Sequence, residues 1–277
     1  MAAVLLIYSL SLVLPLVWAV ISSFKSDIDF TSTPFAIVSY DGVQWGNISK
    51  AFKTMSINVI GDDGSVKSIG LLAMLFYSII YSVGVSFVAN ASRSMCAYVC
   101  ARYSHLKLTK FVYGLVIVLM TISFPSNLAV TIKFFKLVGI YDNLFMTIIT
   151  SITFGGGHFL YFYAAYVGLS KEYSEAASID GANQFQVMFK VMMPMCKNIF
   201  IALFMLEFIA HWNDYTPNVV YLKSYPMLAY ALYHFRLKTP QPSIPLQLSS
   251  STLVIIPTLA IFIIFKDKIM SNLTIGG

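Results

Sequence analysis

Charge is scarce in this sequence. Asp, Glu, Lys and Arg make up 11% of its 277 residues, against about 25% in an ordinary soluble domain. The deficit runs along the whole chain, which excludes a soluble domain carrying a single anchor. Cysteine is almost absent. Cys96, Cys100 and Cys196 form an odd, scattered set, so a disulfide framework is excluded. Cys96 and Cys100 would share a helix face, but no His or Cys cluster lies nearby to complete a metal site, and all three read as small buried hydrophobes. A phosphate-cradling Gly-x4-Gly-Lys-Ser/Thr run is also missing. The nearest imitation, Gly61 to Ser68, has the wrong spacing, and Asp62 and Asp63 would repel phosphate. Ser-His-Asp and His-Glu-x-x-His constellations are absent as well, so the chain does not read as an enzyme. The basic residues lie between apolar runs rather than on one soluble face, which argues against a nucleic-acid partner.

What the chain has in abundance is apolar length, with hydrophobic residues at 58%. A helix crossing the hydrocarbon core needs about 20 mostly apolar residues. Six segments qualify, at about 3–24, 69–92, 111–132, 143–170, 198–216 and 246–265, within a single membrane domain covering 1–277. The first is too long, and too poor in basic residues at its start, for a secretory signal. It opens directly at the N-terminus, which leaves room for a short cytoplasmic tail upstream. Orientation follows from the short loops. The loop 93–110 holds Arg93, Arg102, Lys107 and Lys110 and no acid, which places it in the cytoplasm. The loop 25–67, with four Lys and five Asp, suits the outside. Alternation puts 171–197 and both termini in the cytoplasm. The loop 223–238, with Lys223, Arg236 and Lys238, falls outside against the rule.

The loop 171–197 is the most informative stretch. Glu175, Ala176, Ala177 and Ser178 favour helix, Asp180-Gly181 is a turn signal, and Val187, Met188, Val191 and Met192 recur at helical spacing. Pro194 marks entry to the fifth span. A short helix in such a loop suits docking: Ala176, Ala177 and Ala182 allow close approach, and Glu175 offers a charge to an Arg or Lys across an interface. A helix lying on the membrane surface is the alternative.

The run Glu175-Ala-Ala-Ser-Ile-Asp-Gly181-Ala, with Pro194 beyond it, resembles the EAA motif of binding-protein-dependent ABC permeases. Other segments narrow the likeness to maltose-transporter-type sugar permeases: Ser23-Phe24-Lys25-Ser26 after the first span, Ala97-Tyr98 with Ala101-Arg102 after the second, Trp212-Asn213-Asp214 near the outer end of the fifth, Pro257 in the sixth, and Thr274-Ile275-Gly276-Gly277 after it. The similarity covers essentially the whole chain. It implies an all-α fold of the type I ABC importer permease kind, with six membrane helices and a cytoplasmic coupling helix near 172–180. In that family the coupling helix sits in a cleft of the ATP-hydrolysing subunit, here through Glu175, Ala176, Ala177, Asp180, Gly181 and Ala182. The implied partners are a second, similar permease chain, two ATP-binding subunits, an extracytoplasmic solute-binding protein, a carbohydrate and membrane lipid in a bacterial inner membrane. This chain would carry no cofactor, because ATP and Mg are used by the partner ATPase.

Ionisable groups inside spans are candidate functional residues. Glu207 and His211 share a helix face, with Asn213 and Asp214 just beyond. His158 follows three glycines that weaken the fourth span, and Asn127 follows Pro125 in the third. These six are the candidates for lining a solute path, with packing inside the bundle as the plain alternative. Three alternatives stand beside the sugar importer. One is an ABC permease for a non-sugar solute. Another is an ion-coupled transporter, which would need intramembrane acids or broken helices in paired halves. The third is a membrane-embedded enzyme, which would need catalytic groups clustered at one depth.

Overall fold

A computed structural model describes residues 2–37, 39–61, 64–122, 128–237 and 240–273. Among them, two helices are long and apolar enough to cross a bilayer alone, Val4–Ser22 and Leu71–Arg102. A third results if Gln184–Met195 and Lys197–Trp212, bent by 74°, count as one. The chain divides into two compact units. The first comprises Met1–Ser78, Asp214–Val219 and Lys223–Ile264, and the second Ile79–Asn213, Val220–Leu222 and Phe265–Gly277.

The first unit starts with α1 (Ala2–Ser22), which has no charged residue in either end turn and exposes its apolar side chains along most of its length. Behind it come α2 (Asp27–Ser32) and α3 (Gly46–Thr54). The Ser23-to-Ser26 exit is a polar knot. Lys25 is 1% exposed, and its Nζ donates to the Thr33 carbonyl at 2.7 Å. Asn47 Nδ2 donates to the carbonyls of Ser23 and Lys25, and Ser249 Oγ donates to Ser23 as well. Satisfying these groups is what allows the exit to be buried.

The fold departs from the all-α expectation at one place. Ile57–Ile60 (β1) and Val66–Ile69 (β2) form an antiparallel hairpin, with Ile57 opposite Ile69. Both of these isoleucines are buried, and Gly64 takes φ +75° beside the turn. β-Branched residues flanking a Gly-containing turn favour this pairing. The unit also holds α13 (Thr216–Val220) as far as Val219, α14 (Leu228–Arg236), and α15 (Ile244–Leu273) as far as Ile264.

The second unit is organised around α4 (Leu71–Arg102) from Ile79 onward, a helix that runs ten residues beyond its predicted end at Ser92. With it lie α5 (Lys107–Thr121), α6 (Leu128–Val138), α7 (Leu144–Ile149), α8 (Gly157–Gly168), α9 (Glu172–Ile179), α10 (Gln184–Gln186), α11 (Met193–Met195) and α12 (Lys197–Trp212). A π-helical stretch, Val187–Met192, joins α10 to α11. The predicted fourth span is therefore two helices, α7 and α8, separated by residues 150–156. The core packs Ala97 and Tyr98 of α4 against Phe159, Phe162 and Tyr166 of α8 and against Val187, Met192 and Cys196. Gly84 lets α4 lie close to α7: a Cβ there would lie 2.8 Å from Ile148 Cδ1, so the Ile148 side chain would have to shift.

Candidate functional site

Two sites emerge in the second unit, a charged cluster among helices and an exposed loop. The cluster centres on Glu207 of α12. Its Oε1 pairs with Arg93 Nη1 and lies 3.2 Å from His158 Nδ1. Its Oε2 accepts from Asn90 Nδ2 at 2.9 Å. The side chains of Arg93, Glu207 and His158 are 16%, 13% and 22% exposed. A lone buried carboxylate would be costly, so the Arg93 guanidinium is its natural counterion.

The same stretch of α4 holds the break in the fourth span. Arg93 Nε donates to the Gly155 carbonyl at 3.0 Å. Ser92 Oγ donates to the Thr153 carbonyl and accepts from the Thr153 N–H. Gly156, at φ +100°, then starts α8, a conformation that glycine adopts without strain. Non-helical backbone within an apolar helical bundle is tolerated where protein groups satisfy it, and Ser92 and Arg93 do so here. A row of small polar residues, Ser82, Ser86, Asn90 and Ser94, repeats every four positions on α4 and is almost fully buried. Ser94 Oγ and Tyr166 Oη form a hydrogen bond at 2.7 Å.

Of the six path candidates, the structure brings His158 and Glu207 together. His211 packs its ring edge-on against Tyr81 at 6.0 Å. Asn213 is the C-cap of α12, and its Nδ2 donates to the Ile209 carbonyl. Asp214, in the first unit, accepts from the Thr216 N–H at the start of α13. Asn127 lies outside the described residues. Arg93, missed as a site residue because it was read as the first residue of a loop, completes the cluster.

The exposed site is the loop 171–197. α9 carries Glu175 and Ala176 on its exposed side, while Ala177 and Ala182 pack partly against the core. Larger side chains add to this outward surface. Tyr173, Ile179 and Phe185 are 51%, 86% and 74% exposed. The helix ends at Asp180 with Gly181 at φ +86°. The Ala182 N–H reaches back to the Ala177 carbonyl and the Gly181 N–H to Ser178, the paired bonds of a Schellman ending. Asn183 and Gln186 then form a capping box that starts α10, two reciprocal bonds that fix the new helix direction.

This loop is fastened to the end of α4. Arg102 Nη2 donates to the Lys171 carbonyl at 2.9 Å, and Tyr103 Oη donates to Gln184 Oε1 at 2.7 Å. At 1.5 Å rise per residue, Arg93, His158 and Glu207 each lie about 14–15 Å along their helices from the loop end.

Comparison with known proteins places this geometry. Residues 93–273 match the family described as binding-protein-dependent transport system inner membrane component. The diacetylchitobiose uptake system permease protein NgcG of Streptomyces coelicolor is 24% identical over 284 residues, covering 99% of this chain and 86% of that protein. The arabinooligosaccharides transport system permease protein AraQ of Halalkalibacterium halodurans is 31% identical over 120 residues, 43% of each chain. The described fold is similar, at a TM-score of 0.72 and 16% identity, to a chain in the crystal structure of a bacterial ABC transporter involved in the import of the acidic polysaccharide alginate, covering 96% of this chain and 94% of that one.

Proposed function

The chain belongs to the family of binding-protein-dependent transport system inner membrane components, and on that premise we propose that it is the permease subunit of an ATP-driven importer for an oligosaccharide or similar carbohydrate. The substrate class is supported by relatives described as carriers of diacetylchitobiose and arabinooligosaccharides. In this reading the chain crosses a bacterial inner membrane six times, through α1, α4, α5 with α6, α7 with α8, α12 and α15, with both termini in the cytoplasm. α9 is the coupling helix. It docks in a cleft of one of two ATP-binding subunits, which hold the ATP and Mg and perform the hydrolysis. A second, similar permease chain supplies the other coupling helix, and an extracytoplasmic binding protein delivers the solute.

The observation that carries this reading is α9 itself: a short helix with an exposed apolar rim, a fixed ending at Gly181 and firm attachment to α4. ATP binding would draw the two coupling helices together. Arg102 and Tyr103 would pass that movement into α4, and the Arg93–Glu207 pair would pass it to α12 and to the break before α8. Access then alternates between the two sides of the membrane. His158 and Glu207, at that break, are where a path bordered by this chain meets polar groups. An ion-coupled transporter would use an intramembrane acid open to the transported ion, whereas Glu207 is engaged by Arg93 and Asn90.

Gly181→Pro tests the reading. Proline fixes φ near −65°, opposite in sign to the +86° found here, so the α9 ending cannot form. In vesicles carrying the assembled transporter, ATP-driven sugar uptake and binding-protein-stimulated ATPase activity are expected to fall to background, with insertion and assembly unchanged. Unaltered uptake would remove α9 from the coupling role.

A further inference from the structure

An apolar groove of about 550 Å³ runs along the second unit. Phe87, Ala91, Met95 and Val99 of α4 form one wall, and Leu108 and Val112 of α5 the other. Ser92 and Thr109 also border it, but both hydroxyls are committed to backbone partners, on Thr153, Tyr103 and Leu106. The groove therefore offers an occupant nothing but hydrocarbon contact.

Its proportions narrow the choice of occupant. From Phe87 to Cys100 the α4 wall is about 20 Å long at 1.5 Å per residue. That is somewhat more than half of the roughly 30 Å hydrocarbon core, the depth that one acyl chain occupies. A slot of this length with an apolar lining accommodates a hydrocarbon chain lying along α4.

Charge marks one end of the groove. Beyond Cys100 the chain turns into α5, whose first turn carries Lys107 and Lys110 and no acid. Both lysines are exposed, and among the described residues neither has an acidic partner. No Asp or Glu occurs between Asp63 and Asp142. Two cations at a helix N-terminus oppose the helix dipole, which favours an anion there. Both flank Leu108 and Thr109 at the groove wall, and their long stems can bring the ammonium groups to a common anion.

We propose that the groove holds one acyl chain of an acidic phospholipid, with its phosphate between Lys107 and Lys110. The lipid would then be a working part of the protein. Phe154, within the break before α8, and Met188, in the π-helical stretch that follows α10, also line the groove. Occupancy braces both.

The test reads binding and not transport, so its outcome is independent of the sugar-importer reading. The assembled transporter is placed in phosphatidylcholine vesicles containing a trace of phosphatidylglycerol or phosphatidylcholine with a photoactivatable acyl chain, and label is mapped onto peptides. Label from the phosphatidylglycerol probe is expected on 87–100 and 108–112, with a preference over the phosphatidylcholine probe on the order of 10- to 30-fold for two surface lysines. Lys107→Gln with Lys110→Gln, both exposed and harmless to folding, is expected to bring that preference close to one. Equal labelling by the two probes in the unaltered protein overturns the proposal. So does the absence of label from these peptides, the result expected if the second permease chain covers the groove.

Discussion

Glu207 and Glu175 are both carboxylates on helices of the second unit, yet their surroundings are opposite. Glu207 is 13% exposed and is met by Asn90, Arg93 and His158 from two other helices. Glu175 stands exposed on α9, and among the described residues its side chain has no partner. The first is needed by its own chain. The second is free to meet another. Stability measurements and transport measurements should therefore separate them, and each substitution below either sharpens that separation or breaks it.

The largest effect on stability belongs to Glu207→Ala. It leaves the Arg93 guanidinium among helices without its counterion, and removing one partner of such a pair costs about 3–5 kcal/mol. The thermal aggregation midpoint of the solubilised complex is expected to drop sharply, and much of the protein is expected to be lost from the membrane. Joint replacement, Arg93→Met with Glu207→Met, removes both charges and is expected to restore most of the loss. If the single and the double variants are equally unstable, packing at these positions matters more than charge pairing. A stable Glu207→Ala protein would place this carboxylate on the same footing as Glu175.

Much of this contrast was legible from residues alone. Glu175 to Gly181 announces a short helix, a left-handed ending and a surface loop through local rules of propensity and turn chemistry. Glu207 announces itself as an ionisable group in an apolar run. Its counterion did not. Arg93 looked like the start of a loop because local hydropathy falls there, although α4 continues to Arg102. A lone Arg three residues after Asn90, facing a lone intramembrane Glu in another helix, was the available signal. The break in the fourth span was half visible. Gly155 to Gly157 indicated weakness, but the departure from helix at 150–156 depends on Ser92 and Arg93, distant in sequence, to satisfy its carbonyls. The β1–β2 hairpin had β-branched residues and a Gly turn, read only as loop. The four-residue repeat Ser82, Ser86, Asn90, Ser94 was present too, but in an apolar run hydropathy averages such residues away.

Arg102→Ala addresses the link between the two regions and should have an intermediate effect. It deletes the bond to the Lys171 carbonyl, worth about 1 kcal/mol at a partly exposed position. Global stability is expected to change little. Amide exchange in peptides covering 171–186 is expected to speed up by roughly fivefold, since a loss of 1.36 kcal/mol corresponds to tenfold. Exchange that stays slow would mean that Tyr103 and the core contacts of Ala177 and Ala182 hold the loop without Arg102.

The smallest stability effect should come from Glu175→Arg, which makes it the sharpest test of the comparison. Exposed helix positions with no partner tolerate substitution within about 0.5 kcal/mol, so the aggregation midpoint, insertion and assembly should match the unaltered protein. Uptake should not. If Glu175 meets a cation across the contact with the ATP-hydrolysing subunit, reversing its charge sets two cations against each other. A penalty of 1.4 kcal/mol there already lowers association about tenfold, so stimulated ATPase activity and uptake should fall together by at least about that factor. Glu207→Ala would lose uptake by losing protein, and Glu175→Arg by losing communication. A decline in uptake matched by an equal decline in stability would show that Glu175 serves the fold as Glu207 does. Normal uptake with an unchanged midpoint would move the contact to Tyr173, Ile179 and Phe185, the apolar rim of the same helix and of α10.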